Sequence, residues 1–233
     1  MFQEPDEIVD LTNPIANDIP TWPTFPPLRV ERTDWAARDG FTMESVEMRT
    51  HTATHIDSPR HFIPEGRTLD EFSMDAFMGH GIALDLTLKE PNEAITVEDL
   101  EPFEDEIREN DIVMLHTGWD DYYGLTPEYL FEFPYLTGEA SQYLAGMNLK
   151  AVGTEGASVG GWGDEVPAHG PSTDVGADES HLPLLETDTL PIEELRNLGD
   201  VLKGAESRRA YFFYPPLNFQ NTSGSSVRAF AFL

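Results

Sequence analysis

An eleven-residue stretch, HTATHIDSPRH, contains three of the seven histidines in this 233-residue chain. Its histidines and its aspartate all occupy odd-numbered positions, so an extended backbone would place their side chains on one side of a strand. A helix would bring His51 and His55 together but leave Asp57 on another face. Pro59 also disfavours that helix, so we predict a strand that leads into a turn. The four residues concerned are His51, His55, Asp57 and His61.

Imidazole and carboxylate groups suit Zn²⁺ and Mn²⁺, and a catalytic ion binds three protein ligands while one position stays open. His51, His55 and Asp57 would supply these three ligands. His61 would then lie beside the ion as a base for water. The chain contains no cysteine, so any metal must be held by His, Asp and Glu. The alternative is a polar turn with surface histidines, but three of them in register with one aspartate favour a metal site.

The composition is strongly acidic, with 43 Asp and Glu residues against 14 Lys and Arg and a net charge of −29. The acidic residues are spread along the chain, and lysine occurs at only three positions. This pattern is typical of an enzyme from a high-salt cytoplasm, where the Debye length falls to about 3 Å at 1 M salt. The alternative is an acidic protein that binds cations or basic partners. Both interpretations disfavour nucleic-acid binding, because phosphate requires basic patches.

The sequence shows no run of about 18 apolar residues, so we predict no membrane-spanning segment. Its first residues, MFQEPDEIVDLTNP, lack the basic and apolar regions of a signal peptide, and we expect a cytoplasmic protein. A hydrophobic content of 39% indicates a folded chain, and no Gly- or Ser-rich linker divides it. We expect one domain over residues 1–233.

Strand and helix patterns alternate through the middle of the chain, which predicts the α/β class. A stretch rich in Gly, Pro and Asp at 155–180 interrupts them and is predicted to be a functional or mobile loop. The predicted strands cover residues 7–11, 41–57, 81–88, 111–117, 149–154, 210–217 and 226–233. The predicted helices cover residues 96–108, 137–146, 181–186 and a stretch within 192–202, and Thr126 with Pro127 marks another helix start.

Trp22 lies in the segment IPTWPTFPP, whose four prolines exclude a helix and a central strand. A tryptophan in such a rigid segment either anchors the loop or forms the wall of a pocket for a flat substrate. The composition of the segment leaves both interpretations open.

The segment HTATHIDSPRHF resembles the HxGTHxDxPxHF signature of the metal-dependent cyclase family, which includes bacterial kynurenine formamidases and isatin hydrolase. The resemblance extends over nearly the whole chain. Trp22 stands where the formamidases carry a substrate-contacting tryptophan in a similar Pro-rich segment. Further blocks follow those of the family in order: GIALDL, DIVMLHTGW, AVGTEGASV, SHLPLL, IEEL and GSSVRAFAF.

The resemblance implies a swivelling β/β/α architecture, a centre of one or two divalent ions, Zn²⁺ or Mn²⁺, and a homodimer or homotetramer. It assigns His61 as the catalytic histidine and Trp22 as a substrate contact. Asp57 matches a ligand that can bridge two ions. Glu194 is the alternative ligand if the alignment shifts by one residue. The ligands that the resemblance implies are His51, His55, Asp57, His181 and Glu193.

Two residues depart from the family pattern. Ala53 replaces a glycine, and we expect a strand-compatible backbone there with only local adjustment. Glu155 stands where the family usually has an aspartate. The 155–180 loop is longer than in the formamidases, and we expect it to border the pocket and influence the choice of substrate. His80 is expected to be structural. His116 is expected to belong to the core, with a hydrogen bond near the site as the alternative. His169 is expected to be a solvated loop residue, with a contact to a metal or substrate as the alternative.

We hypothesise a metal-dependent hydrolase of amide-type C–N bonds, similar to arylformamidases, with His61 as the acid and base. Its expected partner is a small-molecule substrate, with N-formylkynurenine first and an isatin-like lactam second. Another lactam or lactone is a further alternative. An alternative from a different class is a non-catalytic, acidic metal-binding protein.

Overall fold

The computed structural model describes residues 5–162 and 176–233. Its strands are β1 (Ile8–Asp10), β2 (Arg29–Asp34), β3 (Met43–Glu47), β4 (His55–Asp57), β5 (Met78–Asp85), β6 (Ala94–Ile95), β7 (Ile112–His116), β8 (Tyr135–Leu136), β9 (Ala151–Thr154), β10 (Leu190–Glu193), β11 (Ser207–Phe213), β12 (Gly224–Ser226) and β13 (Phe230–Phe232). Its α-helices are α1 (Ala36–Asp39), α2 (Val97–Leu100), α3 (Pro127–Phe131), α4 (Gly138–Ala145), α5 (Ala177–Leu185) and α6 (Leu198–Leu202).

Nine of the strands form one curled sheet in the order β1-β13-β11-β5-β7-β9-β10-β4-β12. Its central strands β5, β7, β9 and β10 run parallel. Both flanks are antiparallel. Two smaller sheets pair β2 with β3 and β6 with β8. Parallel strands combined with intervening helices confirm the predicted α/β class.

The parallel strands are buried on both faces, which explains their nearly continuous apolar sequences. On β7, Ile112 and Met114 pack into one core, together with residues of α6. Val113 and Leu115 alternate to the opposite face and pack against residues of α2, α4 and α5. The sheet is thus a central layer with a core on each face, and its antiparallel flank carries β4 of the histidine-rich segment.

Residues 41–57 do not form one strand, contrary to the sequence prediction. Met43–Glu47 pairs with β2 in a separate hairpin, whereas His55–Asp57 lies in the nine-stranded sheet. The helix predicted within 192–202 is confined to α6, because the first of these residues belong to β10. Left-handed backbone at Glu194 (φ 55°) and Asn197 (φ 59°) separates the strand from the helix.

Ala53 explains the break before β4. Its φ of 53° is left-handed, so the expectation of a strand-compatible backbone at this position was wrong. This conformation costs a non-glycine residue about 1–2 kcal/mol, which is the physical reason that glycine suits the position. The chain bends here, and His51 reaches Asp57 through the bend rather than through strand alternation. The predicted turn after β4 is confirmed as a 3-10 turn over Pro59–His61.

Helix lengths follow local sequence signals. Thr96 and Asp99 form the predicted capping box at the start of α2. The helix is shorter than predicted, because Pro102 lies in a 3-10 turn that follows Leu100 directly. Thr126 caps α3 as predicted and accepts a hydrogen bond from the Tyr129 amide.

Within residues 5–162 and 176–233, no helix has the length and apolar content that crossing a bilayer requires. His169 and half of the predicted 155–180 loop lie outside these described residues, and so their predicted roles stay predictions.

Candidate metal centre

Asp57 ends strand β4, and its side chain is fully buried. Nitrogen atoms of four histidines surround its carboxylate. His51 Nδ1 lies 2.6 Å from Oδ1, and His55 Nε2 lies 3.5 Å from the same oxygen. His181 Nε2 and His61 Nε2 lie 3.4 Å and 3.9 Å from Oδ2. The structure therefore brings His181 of α5 to the histidine-rich segment, 120 residues away in the sequence.

Backbone carbonyl groups orient two of these imidazoles. His55 Nδ1 lies 2.8 Å from the Ala53 carbonyl oxygen, and His181 Nδ1 lies 2.6 Å from the Ala177 carbonyl oxygen. A carbonyl only accepts hydrogen bonds, so each Nδ1 carries a hydrogen and each Nε2 faces Asp57. Metal-bound histidines typically have their other ring nitrogen fixed in this way.

Glu193 joins the cluster from the neighbouring strand. It ends β10, and the antiparallel register places it opposite His55 of β4. Its Oε2 lies 3.3 Å from His55 Nε2, and its Oε1 lies 3.0 Å from His181 Nε2. The Val159 amide donates a hydrogen bond to Oε1 at 2.8 Å and fixes the carboxylate. Strand pairing thus brings together two acidic residues that lie 136 positions apart.

The two carboxylates change the protonation of the imidazoles. Burial lowers the pKa of His55, but the hydrogen bond to Glu193 and the charge of Asp57 outweigh burial and raise the pKa to about 9. His181 shows the same balance, and contacts with Asp57 and Glu193 raise its pKa to about 10. Burial raises the pKa of Asp57, yet the nearby histidines hold it well below its usual range. The cluster therefore requires positive charge, which either protons or a metal cation supply.

The donor atoms fit a metal ion. Among the described residues, His51 Nδ1 and both carboxylate oxygens of Asp57 are buried and lie close to one another, but none of their contacts has the alignment of a hydrogen bond, and a cation between them would satisfy all three atoms. Two groups with mutually close ligand atoms both include Asp57: His51 with Asp57 and His61, and His55 with Asp57 and Glu193. Imidazole and carboxylate donors of this kind suit Zn²⁺ or Mn²⁺. The assignment of His51, His55, Asp57, His181 and Glu193 as ligands stays a prediction.

His51 is supported by the edge strand β12. Its Nε2 lies 3.0 Å from the Ser223 hydroxyl. A Cβ atom on Gly224 would lie only 2.5 Å from Cε1 of the same ring, so this position requires glycine. Neither residue was singled out in the sequence, although Gly224 begins the C-terminal block that resembles the family and Ser223 directly precedes it.

His61 differs from the other histidines of the cluster. Its side chain is 30% exposed, and its ring stacks on that of His51 with centroids 4.0 Å apart. Burial lowers its pKa, and although Asp57 opposes this effect, His51 and His181 reinforce it, so that the pKa is about 4. His61 is therefore uncharged near pH 7, which is the state that accepts a proton.

The cluster opens into a pocket of about 220 Å³. His51, His55, His61, His181 and Glu193 line one end of it. The other walls are mostly apolar and are formed by Trp22, Phe25, Phe62, Leu130 and Ala157. This volume and its aromatic wall suit a small planar ligand.

Trp22 has a partner that the sequence did not reveal. Trp162 stacks on its ring with centroids 3.8 Å apart, and the Trp162 indole N–H donates a hydrogen bond to the Leu130 carbonyl. Because Trp162 covers one face of Trp22, only the opposite face is available to the pocket. The two interpretations of Trp22, as a loop anchor and as a pocket wall, are thus compatible.

Glu194, the alternative ligand, belongs to neither of the two groups that share Asp57. Its Oε1 accepts a hydrogen bond from the Tyr129 hydroxyl at 3.1 Å, and burial raises its pKa to about 7. Glu155 likewise has a local role, since its Oε2 accepts hydrogen bonds from the Gly118 and Thr117 amides. Its other oxygen lies 2.8 Å from His116 Nδ1.

Known proteins resemble this chain in sequence and identify its family. The Cyclase family model matches residues 9–160. An uncharacterised protein of Methanocaldococcus jannaschii is 28% identical over 97% of this chain and 100% of its own length. The kynurenine formamidase of Bacillus thuringiensis is 28% identical over 70% of this chain and 75% of its own length.

Solved structures share the fold. Isatin hydrolase A from Labrenzia aggregata, bound to benzyl benzoate, superposes with a TM-score of 0.81 at 26% identity over 97% of this chain and 93% of its own. A potential metal-dependent hydrolase with cyclase activity has a TM-score of 0.74 at 25% identity and covers 97% of both chains. The predicted cyclase-type architecture is thus confirmed, and the chain belongs to the Cyclase family of metal-dependent hydrolases.

Proposed function

We propose that this chain hydrolyses the C–N bond of a small aryl formamide or cyclic amide. The observation that carries the proposal is an Asp57-centred cluster of histidines at the end of an aromatic-lined pocket, with the uncharged His61 beside it. Support also comes from relatives that are named as a kynurenine formamidase and as isatin hydrolases.

Metal ligands, a proton-transfer group and a substrate contact each have a separate role in the proposed reaction. A divalent ion at this centre would polarise the scissile carbonyl and lower the pKa of water. His61 accepts the proton of the attacking water and returns it to the leaving nitrogen as the C–N bond breaks. The exposed face of Trp22 stacks on the planar part of the substrate. The residues proposed to hold the ion are His51, His55, Asp57, His181 and Glu193.

N-Formylkynurenine is the first substrate that we propose, and an isatin-like lactam is the second. The aromatic wall of Trp22, Phe25 and Phe62 suits both of them. The ligand set is equally suited to Zn²⁺ and Mn²⁺, and Asp57 lies in both candidate ligand groups, which allows one or two ions. Adaptation to high salt and a cytoplasmic location belong to the same proposal and rest on the acidic composition.

We further propose that the chain assembles with a second copy of itself through the β2–β3 hairpin. All five residues of β3 are exposed, and an isolated two-stranded hairpin is only marginally stable in water. Residues 29–49 contain four arginines and five acidic residues, so this segment is nearly neutral in a chain of net charge −29. Two such acidic chains repel each other least at a neutral surface.

A groove beside the hairpin would receive part of the partner. The side chains of Val30, Val46 and Met48 line one wall of it, and Leu217 and Phe219 line the other. Val46 and Leu217 are each 54% exposed, which is unusual for apolar side chains that lie together. The groove therefore supports a homodimer as the smallest assembly.

Hydrolysis of N-formylkynurenine and isatin tests the proposed reaction. We expect the metal-loaded chain to cleave at least one of them and to lose turnover when a chelator removes the metal. His61→Ala should lower kcat by about 10²- to 10⁴-fold while metal content stays unchanged, because only the proton transfer is lost. His80→Gln, at an exposed histidine outside the pocket, serves as the control.

Turnover retained by His61→Ala with metal bound would remove His61 from the mechanism. Stoichiometric metal binding without hydrolysis of any amide or lactone would favour the non-catalytic metal-binding alternative.

Metal binding is expected to release protons. With pKa values of about 9 and 10, His55 and His181 are protonated at pH 7, and the metal must displace these protons. Up to two protons per ion should be released near pH 7, and the apparent affinity should rise with pH until it levels off above about pH 10. Calorimetry in buffers of different ionisation enthalpy measures the number released. The absence of any proton release at pH 7 would contradict the assigned ligands.

Val46→Glu is expected to convert the homodimer into a monomer, because it places a charge in the apolar groove. Light scattering coupled to size-exclusion chromatography measures the mass. Leu88→Glu is the matched control, since Leu88 is 95% exposed and does not line the groove. A dimer that persists in Val46→Glu, or a wild-type monomer, would refute the proposed interface.

A further inference from the structure

Glu194 follows the predicted ligand Glu193 directly, yet its side chain points elsewhere. Glu193 contacts His55 and His181, whereas Glu194 receives a hydrogen bond from the Tyr129 hydroxyl. Successive side chains of a strand point to opposite faces, but the left-handed φ of 55° at Glu194 ends the strand geometry of β10, and both residues line the same pocket. Such a conformation costs a non-glycine residue about 1–3 kcal/mol and is found preferentially at functional sites.

Three hydrogen bonds hold the Glu194 backbone in this conformation. Its amide donates to the Gly156 carbonyl at 3.0 Å. Its carbonyl accepts from the Thr54 hydroxyl at 2.6 Å and from the Asn13 side-chain amide at 2.7 Å. These partners come from three separate segments of the chain, so the position of Glu194 is fixed before any ligand arrives.

Glu194 also lines the pocket that the metal cluster faces. Apart from the histidines and Glu193, the described residues of the pocket wall include only three with polar side chains: Thr21, Ser158 and Glu194. Glu194 alone among these three carries an ionisable group, and it is only 6% exposed. A carboxyl group at a mostly apolar wall is costly to leave unpaired, so a ligand that supplies a hydrogen-bond donor is favoured.

The hydrogen bond from Tyr129 determines which kind of ligand group Glu194 selects. Tyr129 is fully buried and donates its hydroxyl hydrogen to Oε1, which supports the acceptor role of the carboxylate. In its ionised form the Glu194 carboxylate accepts hydrogen bonds but donates none, so it pairs with an N–H group and not with an ester oxygen. Sites built to bind a donor reject analogues that lack it, because the buried acceptor is then left unpaired.

We propose that Glu194 is a specificity residue that accepts a hydrogen bond from a substrate N–H group, so that the pocket selects aryl amides and lactams over esters and lactones of the same shape. This inference rests on the proposed hydrolysis of C–N bonds and adds the group that recognises the nitrogen side of the substrate.

Two pairs of probes test the role of Glu194. Formanilide and phenyl formate compare an amide with an ester of the same shape through the ratio of their kcat/KM values. The dissociation constants of 2-aminoacetophenone and 2-methylacetophenone show how much an N–H donor contributes to binding relative to a methyl group. Neither compound contains a bond that the protein would cleave, so this measurement does not depend on the reaction. The variant is Glu194→Gln, whose amide would accept from Tyr129 and present N–H groups to the substrate. Glu186→Gln, at an exposed position that does not line the pocket, is the matched control.

We expect Glu194→Gln to lower the amide-to-ester ratio by about 10- to 100-fold, the effect of one hydrogen bond to a charged group. The tighter binding of the amine over its methyl counterpart should disappear in the same variant. Glu186→Gln should change neither quantity. Metal content and thermal unfolding of each variant report whether the centre and the fold are retained.

The inference would be overturned if Glu194→Gln lowered kcat/KM equally for the amide and the ester and left the preference for the amine unchanged. It would also be overturned if the wild-type chain showed no preference for the amine. Glu194 would then only support Tyr129. If the wild-type chain cleaves neither formyl compound but binds the amine more tightly through Glu194, the proposed reaction fails while the inference stands.

Discussion

A fully buried carboxylate needs positive charge close to it, and Asp57 imposes this requirement on the edge of the nine-stranded sheet. Four imidazoles and a second carboxylate, Glu193, lie around it. Since the carbonyl groups of Ala53 and Ala177 fix the Nδ1 hydrogens, the Nε2 atoms of His55 and His181 face the acidic oxygens. Such an arrangement is stable with protons or with a metal cation, and the lack of aligned hydrogen bonds at the Asp57 oxygens and His51 Nδ1 favours the metal.

The fold satisfies this requirement with short elements and bends. Strand β4 has only three residues, but β10 and β12 flank it and supply Glu193 and the support for His51. Left-handed residues lie on both sides of the centre, at Ala53 and at Glu194. Each redirects the backbone next to a functional side chain, and each is fixed by hydrogen bonds. The strained backbone at these two residues thus places nearby side chains where a regular strand would not place them.

Much of this organisation can be predicted from the sequence, because apolar runs and capping residues are local signals. The central strands β7 and β9 and the helix α4 fall where periodicity places them. The density of histidines in residues 51–61 also indicates a metal site before any geometry is known. The convergence of His181 and Glu193 on Asp57 depends on strand order and on distant packing, and only the family resemblance indicated it.

Other features of the structure cannot be predicted from the local sequence. The positive φ of Ala53 contradicts the alternating pattern around it, since tertiary contacts outweigh the preference of alanine. The stacking of Trp162 on Trp22 joins residues 140 positions apart. The left-handed backbone at Glu194, whose side chain lines the same pocket as that of Glu193, is not predicted by its residue type.

The proposed chemistry depends on a metal cation bound by the cluster around Asp57. A crystal structure of the protein grown with Mn²⁺, with anomalous diffraction recorded at the manganese edge, tests it most directly. We expect an anomalous peak within bonding distance of an Asp57 oxygen and of ring nitrogens of the surrounding histidines. A map without a peak there, or with a peak only at the group formed by His116, Asp120 and Glu155, would refute a metal site at Asp57.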